Sequence, residues 1–138
     1  MSDHLDSSNF ESLDAWGFEP RRVDKPWGYE LIWAESEQYV GKKLFIKAGE
    51  ALSLQFHNVK DEIIYVDSGR VEFTIGGPGE AAPHSEVVGP GTAFHVTPGV
   101  VHRMRAVEDS ILLEASTPHL DDVVRLEDSY GRAGTSQA

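Results

Sequence analysis

Between residues 29 and 115 this chain nowhere repeats its apolar residues at the helical period of 3.6. It offers instead short alternating or β-branched runs broken by Gly and Pro. Such a chain buries a core only by pairing strands. The runs fall at 29–34, 40–47, 52–57, 62–67, 70–75, 86–88, 92–96, 102–106 and 110–115. Turn chemistry separates them: Asp67-Ser68-Gly69-Arg70 suits a tight hairpin, Gly76-Gly77-Pro78-Gly79 a loop and Thr97-Pro98-Gly99 another reversal. Strands this short and closely spaced predict an all-β sandwich or barrel, best a jelly roll. Parity supports the assignment, since Glu62, Ile64 and Val66 share one face of their run and Val71, Phe73 and Ile75 share one face of theirs. The segment HLDDVVRLEDSYGR (119–132) is compatible with a strand or a short helix.

At 138 residues, with 40% hydrophobic and 25% charged content, the chain has the size and composition of one soluble domain. We expect that domain over 23–132, an acidic flexible arm over 1–22 and a frayed end over 133–138. Residues 1–19 carry five acids and no Lys or Arg. The formal net charge of −11 argues against nucleic acid or an anionic membrane as partner. No apolar run approaches the roughly 20 residues that cross a bilayer, and the N-terminus lacks a secretory pattern, so a cytoplasmic location is expected. Cysteine is absent, which leaves His, carboxylate and amide groups to hold any metal.

The spacing Gln55-x-His57-x4-Glu62, followed by His102, places such groups on strands. Gln55 and His57 are two apart and point to one face, with Ser53 in line. A four-residue turn brings Glu62 to the start of the next strand beside His57, and the turn at 97–101 delivers His102 from another hairpin. Two imidazoles, one carboxylate and one amide oxygen around a point form an open site for one divalent ion. Burying four polar side chains in an apolar barrel without a cation costs several kcal/mol.

These residues also carry a resemblance. Gly49-x5-Gln55-x-His57-x4-Glu62-x6-Gly69 resembles the first cupin motif and Gly91-x5-Thr97-x-Gly99-x2-His102 the second, with Thr97 in place of the usual Pro and Ala106 in place of a frequent Asn. Within the cupins the chain is similar to the isomerase domain of type II phosphomannose isomerases, often fused behind a mannose-1-phosphate guanylyltransferase. The similarity rests on Lys25-Pro26-Trp27-Gly28-Tyr29-Glu30, the run from Gly49 to His57, Val101-His102-Arg103 and the tail from Asp121 to Arg132. Where those isomerases carry a His-rich, Arg-containing turn, this chain has Asn58-Val59-Lys60-Asp61, and Ile63-Ile64 stands where they often have His-Trp.

The resemblance implies a cupin barrel and a metal-dependent mannose-6-phosphate isomerase, which moves a proton between C1 and C2 through an enediol. Zn²⁺ suits that role, with Mn²⁺, Co²⁺, Ni²⁺ or Fe²⁺ as alternatives. For proton transfer the candidates are His95, Lys60 and Glu50, and for the phosphate Arg103 and Arg105 beside His102. Trp27, Tyr29 and Trp33 either pack on the barrel or stack on a sugar. Ile63 and Tyr65 on an outward face predict a homodimer. A cupin dioxygenase and a non-catalytic sugar- or sugar-phosphate-binding cupin remain alternatives.

Overall fold

A computed structural model describes residues 15–78 and 83–135. Its strands are β1 (Arg21–Lys25), β2 (Gly28–Glu35), β3 (Val40–Ile46), β4 (Leu54–Phe56), β5 (Glu62–Ser68) and β6 (Val71–Gly76). They continue with β7 (His84–Val88), β8 (Ala93–Val96), β9 (Val101–Ala106), β10 (Ser110–Ser116), β11 (Val124–Glu127) and β12 (Gly134–Thr135). No α-helix occurs among the described residues. Hydrogen bonding orders the strands into two antiparallel six-stranded sheets, β1-β2-β3-β10-β5-β8 and β12-β11-β4-β9-β6-β7. This is the jelly roll that the alternating runs predict.

The sheets meet because each strand turns every second residue inward. Ile64 and Val66 of β5, Leu44 and Ile46 of β3, Leu112 of β10, Val71 and Phe73 of β6 and Met104 of β9 form one buried cluster. Phe73 and Phe94 stack across the two sheets with ring centroids 3.8 Å apart and planes 5° apart. Trp27 is 2% exposed and joins the same core. Tyr29 stacks on Phe45, whereas Trp33 sits at the bulge between Ile32 and Ala34, exposed on the outside and lying over Gly41.

Three strands exceed the sequence expectation. β1 holds Val23 as its only apolar residue among Arg21, Arg22, Asp24 and Lys25, so it shows no apolar alternation; as an edge strand it needs little. It begins inside the segment expected to be an arm, of which residues 1–14 lie outside the described residues. β11 resolves the ambiguous tail as strand, and β12, in the expected frayed end, pairs with it at Val124 and Arg125.

The hairpin between β5 and β6 turns at Gly69, whose φ is +92°. A Cβ there would meet Ser110 Oγ at 2.2 Å and the Asp109 carbonyl oxygen at 2.6 Å. Gly91 has nearly the same φ, +94°, but a Cβ there would meet nothing within 4 Å. Gly91→Ala should therefore cost only the left-handed penalty, about 1–2 kcal/mol. Gly69→Ala should cost clearly more, because backbone must also move, and equal costs in urea unfolding would refute this account.

Candidate metal centre

β4 lies between β11 and β9, so Gln55 is register partner of His102 on one side and of Arg125 on the other. These three residues form an inward row across one sheet. His57 follows β4 directly and Glu62 opens β5 on the facing sheet. His57, Glu62 and His102 are 2%, 2% and 1% exposed, and their ligating atoms lie within 4.8 Å of one another. Glu62 Oε2 is 2.9 Å from His57 Nε2 and 3.1 Å from His102 Nε2.

Both imidazoles point Nδ1 at a backbone carbonyl: His57 at Asp122 O (2.5 Å) and His102 at Val100 O (3.1 Å). Carbonyls accept, so Nδ1 donates in each ring, and in the neutral tautomer each Nε2 keeps its lone pair. Those two lone pairs then face a carboxylate oxygen, and His102 Nε2 has no hydrogen-bond partner. Three acceptors converging in a buried space repel one another unless a cation sits among them. The two separations from Glu62 Oε2, near 3 Å, match neighbouring donors each about 2.1 Å from one ion. The group is thus able to hold a divalent metal. Gln55 Oε1 accepts the Ser53 hydroxyl at 2.6 Å and, with two lone pairs, retains a second for an ion.

The cluster opens on a cavity whose wall is mostly polar and charged. Sequence parity had more to say here than the ligand motif, because several polar residues occupy inward positions of apolar strands. Glu30 precedes Ile32, Lys42 precedes Leu44, and Glu114 follows Leu112, each on an inward face. Lys42 Nζ binds Glu30 Oε1 at 3.1 Å, and Lys60 Nζ lies 3.0 Å from Glu114 and 3.4 Å from Glu62 Oε1. Lys42 and Glu114 are cross-strand partners. The wall is therefore a row of alternating charge, Glu30, Lys42, Glu114, Lys60, Glu62, ending at the histidines.

Lys25, Arg125 and Arg132 also line the cavity, giving five cations against three carboxylates. Arg125 is 7% exposed, and its Nε and Nη1 are buried without a hydrogen-bond partner. Burial and the neighbouring Arg132 push its pKa down, and burial together with Lys42, Arg125 and Arg132 lowers that of Lys25 against the opposing pull of Glu30. Arg132 is paired with Asp128 at 2.9 Å, whereas the buried nitrogens of Arg125 are left without a partner. Arg125 lies two strand spacings, about 10 Å, from His102 along the sheet.

Of the residues expected from sequence, Gln55, His57, Glu62, His102 and Lys60 come together in this cavity. Lys60 is not a solvated turn lysine but is 5% exposed. His95, Glu50, Arg103 and Arg105 stand elsewhere. With Val96 buried and Phe94 packed on the core, strand parity turns His95 outward, where it is hydrogen bonded to Asp61 at 2.9 Å. Arg103 and Arg105 flank inward Met104 and so face away from His102, toward Glu127 (3.3 Å) and Glu72 (3.8 Å). Glu50 accepts a hydrogen bond from the Tyr130 hydroxyl and braces the tail.

Burial alone would push the Lys60 ammonium down, but attraction to and hydrogen bonding with Glu114 and Glu62 together raise its pKa above the ordinary lysine value of 10.5. A pKa raised on folding stabilises the fold fully below the unfolded value and progressively less above it. Lys60→Met leaves two buried carboxylates short of a partner and should cost about 3–5 kcal/mol at neutral pH. The gap between wild type and variant should narrow above pH 10.5 in pH-resolved urea unfolding. A constant gap up to pH 12 would contradict it.

Comparison with known proteins agrees with the geometry. The cupin domain family model matches residues 43–115. Mannose-1-phosphate guanylyltransferase ManC of Salmonella typhimurium is 33% identical over 118 residues, which is 81% of this chain and 23% of ManC. Xanthan biosynthesis protein XanB of Xanthomonas campestris is 31% identical over 118 residues, 81% of this chain and 24% of XanB. The chain thus spans about a quarter of the length of these curated relatives. Among solved structures, KdgF from a Halomonas species superposes with a TM-score of 0.63 at 23% identity, covering 72% of this chain and 88% of KdgF. A Bacillus subtilis oxalate decarboxylase gives 0.66 at 20% identity, covering 78% and 30%. These two likenesses concern the fold. By its family match, its jelly roll and its motif positions, the chain belongs to the cupin domain family.

Proposed function

We propose that this protein is a metal-dependent sugar-phosphate isomerase of the mannose-6-phosphate isomerase type. The observation that carries the reading is one cavity that joins the His57, Glu62 and His102 cluster to the unpartnered guanidinium nitrogens of Arg125. Names such as mannose-1-phosphate guanylyltransferase among the relatives favour a mannose phosphate. His57, Glu62 and His102 are the metal ligands in this reading, with Gln55 as the fourth. A bound divalent ion, Zn²⁺ first and Mn²⁺, Co²⁺, Ni²⁺ or Fe²⁺ as alternatives, supplies the electrophile that polarises the sugar carbonyl.

The other roles fall to side chains. Arg125 takes the phosphate, with Arg132 and Lys25 adding positive potential. This moves the phosphate site from Arg103 and Arg105 to the tail strand. Lys60, held protonated, is an unsuitable base; as an ammonium it offsets the charge of Glu62 and donates toward an enediolate oxygen. Transfer of the proton between C1 and C2 needs a cavity carboxylate. Glu30 and Glu114 are the two that line the cavity outside the metal cluster. On the outer face of the β5-containing sheet, Ile63 and Tyr65 sit opposite Ala115 and Leu113 and expose apolar surface, which supports a homodimer through that face.

NMR of mannose 6-phosphate and fructose 6-phosphate in D₂O with metal-loaded protein tests the reaction. Deuterium should enter at the carbon beside the carbonyl, and absence of exchange and interconversion across several sugar phosphates would sink the proposal. Arg125→Met should raise KM by roughly 10- to 100-fold, the worth of a charge-assisted hydrogen bond. Arg103→Ala should leave KM nearly unchanged, and the reverse pattern would return the phosphate to the outer face of β9.

A further inference from the structure

The metal cluster is fastened from outside the cavity by a residue that does not line it. Asp122, in the tail before β11, meets every residue of the 57–60 segment. Its carboxylate accepts the backbone N–H groups of Asn58 (3.0 Å), Val59 (2.6 Å) and Lys60 (2.8 Å), and its main-chain carbonyl accepts Nδ1–H of His57 (2.5 Å). On the other side Gly99 N–H donates to the His57 carbonyl at 2.8 Å, and beyond the segment Asp61 N–H donates to Thr117 Oγ1 at 3.1 Å. Both ends of the segment carry cavity groups, His57 at one and Lys60 at the other.

We propose that Asp122 is a positioning residue for the metal centre, which fixes the His57 tautomer through its carbonyl and sets the 58–60 turn through its carboxylate. The inference rests on the reading that the cluster holds a metal, and is independent of isomerase activity. Two consequences follow from the contacts. With Nδ1–H committed to a carbonyl, Nε2 is left as the ligating lone pair, the arrangement that orients an imidazole toward a metal. With three N–H groups converging on one carboxylate, the turn cannot shift without breaking several charge-assisted hydrogen bonds at once. Because Asp122 lies three residues before Arg125, the clasp also fixes the start of the strand that carries the cationic end of the cavity.

The alternative is a turn cap that stabilises the fold without affecting the metal. Metal affinity separates the two. Full-length protein is titrated with Zn²⁺ against a chromophoric chelator and with Co²⁺ while its visible absorption is followed. Asp122→Ala keeps the main-chain carbonyl that binds His57 but removes the carboxylate that holds the 58–60 turn behind it, and should weaken affinity about tenfold and alter the Co²⁺ spectrum. Asp122→Asn should fall between, since its amide keeps one acceptor oxygen but turns a donor toward the N–H cluster; it carries the test if the alanine variant fails to fold. Asp121→Ala removes the same charge from the exposed neighbour and should match wild type. Wild-type affinity and Co²⁺ spectrum in Asp122→Ala and Asp122→Asn, even with a lowered melting temperature, would overturn the proposal. A wild type that binds metal without isomerising sugar phosphates would defeat the isomerase reading and leave the role of Asp122 standing.

Discussion

The site depends on the burial of Glu62. A carboxylate 2% exposed inside an apolar jelly roll is tolerated only with compensating charge, and its two oxygens find it in different places. Oε1 faces the Lys60 ammonium, while Oε2 faces the Nε2 atoms of His57 and His102. Burial works against ionisation of this carboxyl, and the Lys60 ammonium beside Oε1 favours it. This division of labour decides what the rest of the cavity must be. Oε2 is left for a cation, and Lys60, once committed to Glu62, requires Glu114 on its other side.

The C-terminal tail is consequently part of the site and not a trailing end. Asp122 meets the turn that carries His57, Arg125 stands opposite Gln55, and Tyr130 packs against the core while hydrogen bonding to Glu50. Asp128 and Arg132 lock the last turn through two side-chain contacts of 2.9 Å. A jelly roll whose second sheet has only the three-residue β4 between β11 and β9 needs this tail to close its wall. The same strand that completes the barrel thereby brings an arginine to the cavity.

The strands, their inward faces and the convergence of Gln55, His57, Glu62 and His102 on one cavity were legible because alternation is a two-residue signal that survives in short runs. Lys60 was legible as a candidate but not as a buried residue, since a lysine in a turn has no periodic neighbour to reveal its environment. Arg103 and Arg105 were assigned by nearness in sequence to His102, and strand geometry works against that criterion, because adjacent residues face opposite ways. Applied strictly, the same parity would have singled out Glu30, Lys42 and Glu114 as polar residues on apolar inner faces. Arg125 was hidden for another reason. Its segment read equally as helix or strand, so no face could be assigned until β11 paired with β4.

Charge explains why an anionic substrate is compatible with a chain of net charge −11. Acidic groups spread over solvent-exposed surface are screened within about 8–10 Å at physiological ionic strength, whereas charges lining a partly enclosed cavity are screened much less. The cavity holds two more positive than negative side chains before any metal is counted. A phosphate entering it therefore feels the local cations more strongly than the distant surface acids, and a divalent ion at Glu62 would deepen that attraction. The alternating row from Glu30 to Glu62 keeps the excess from becoming an unpaired burden on the fold, because Lys42 and Lys60 are neutralised where they stand and, of the cations lining the cavity, Arg125 is the one with buried nitrogens that lack a partner. In the proposed reaction that leaves phosphate recognition to one guanidinium, whose planar fork matches a phosphate better than any of the lysines around it.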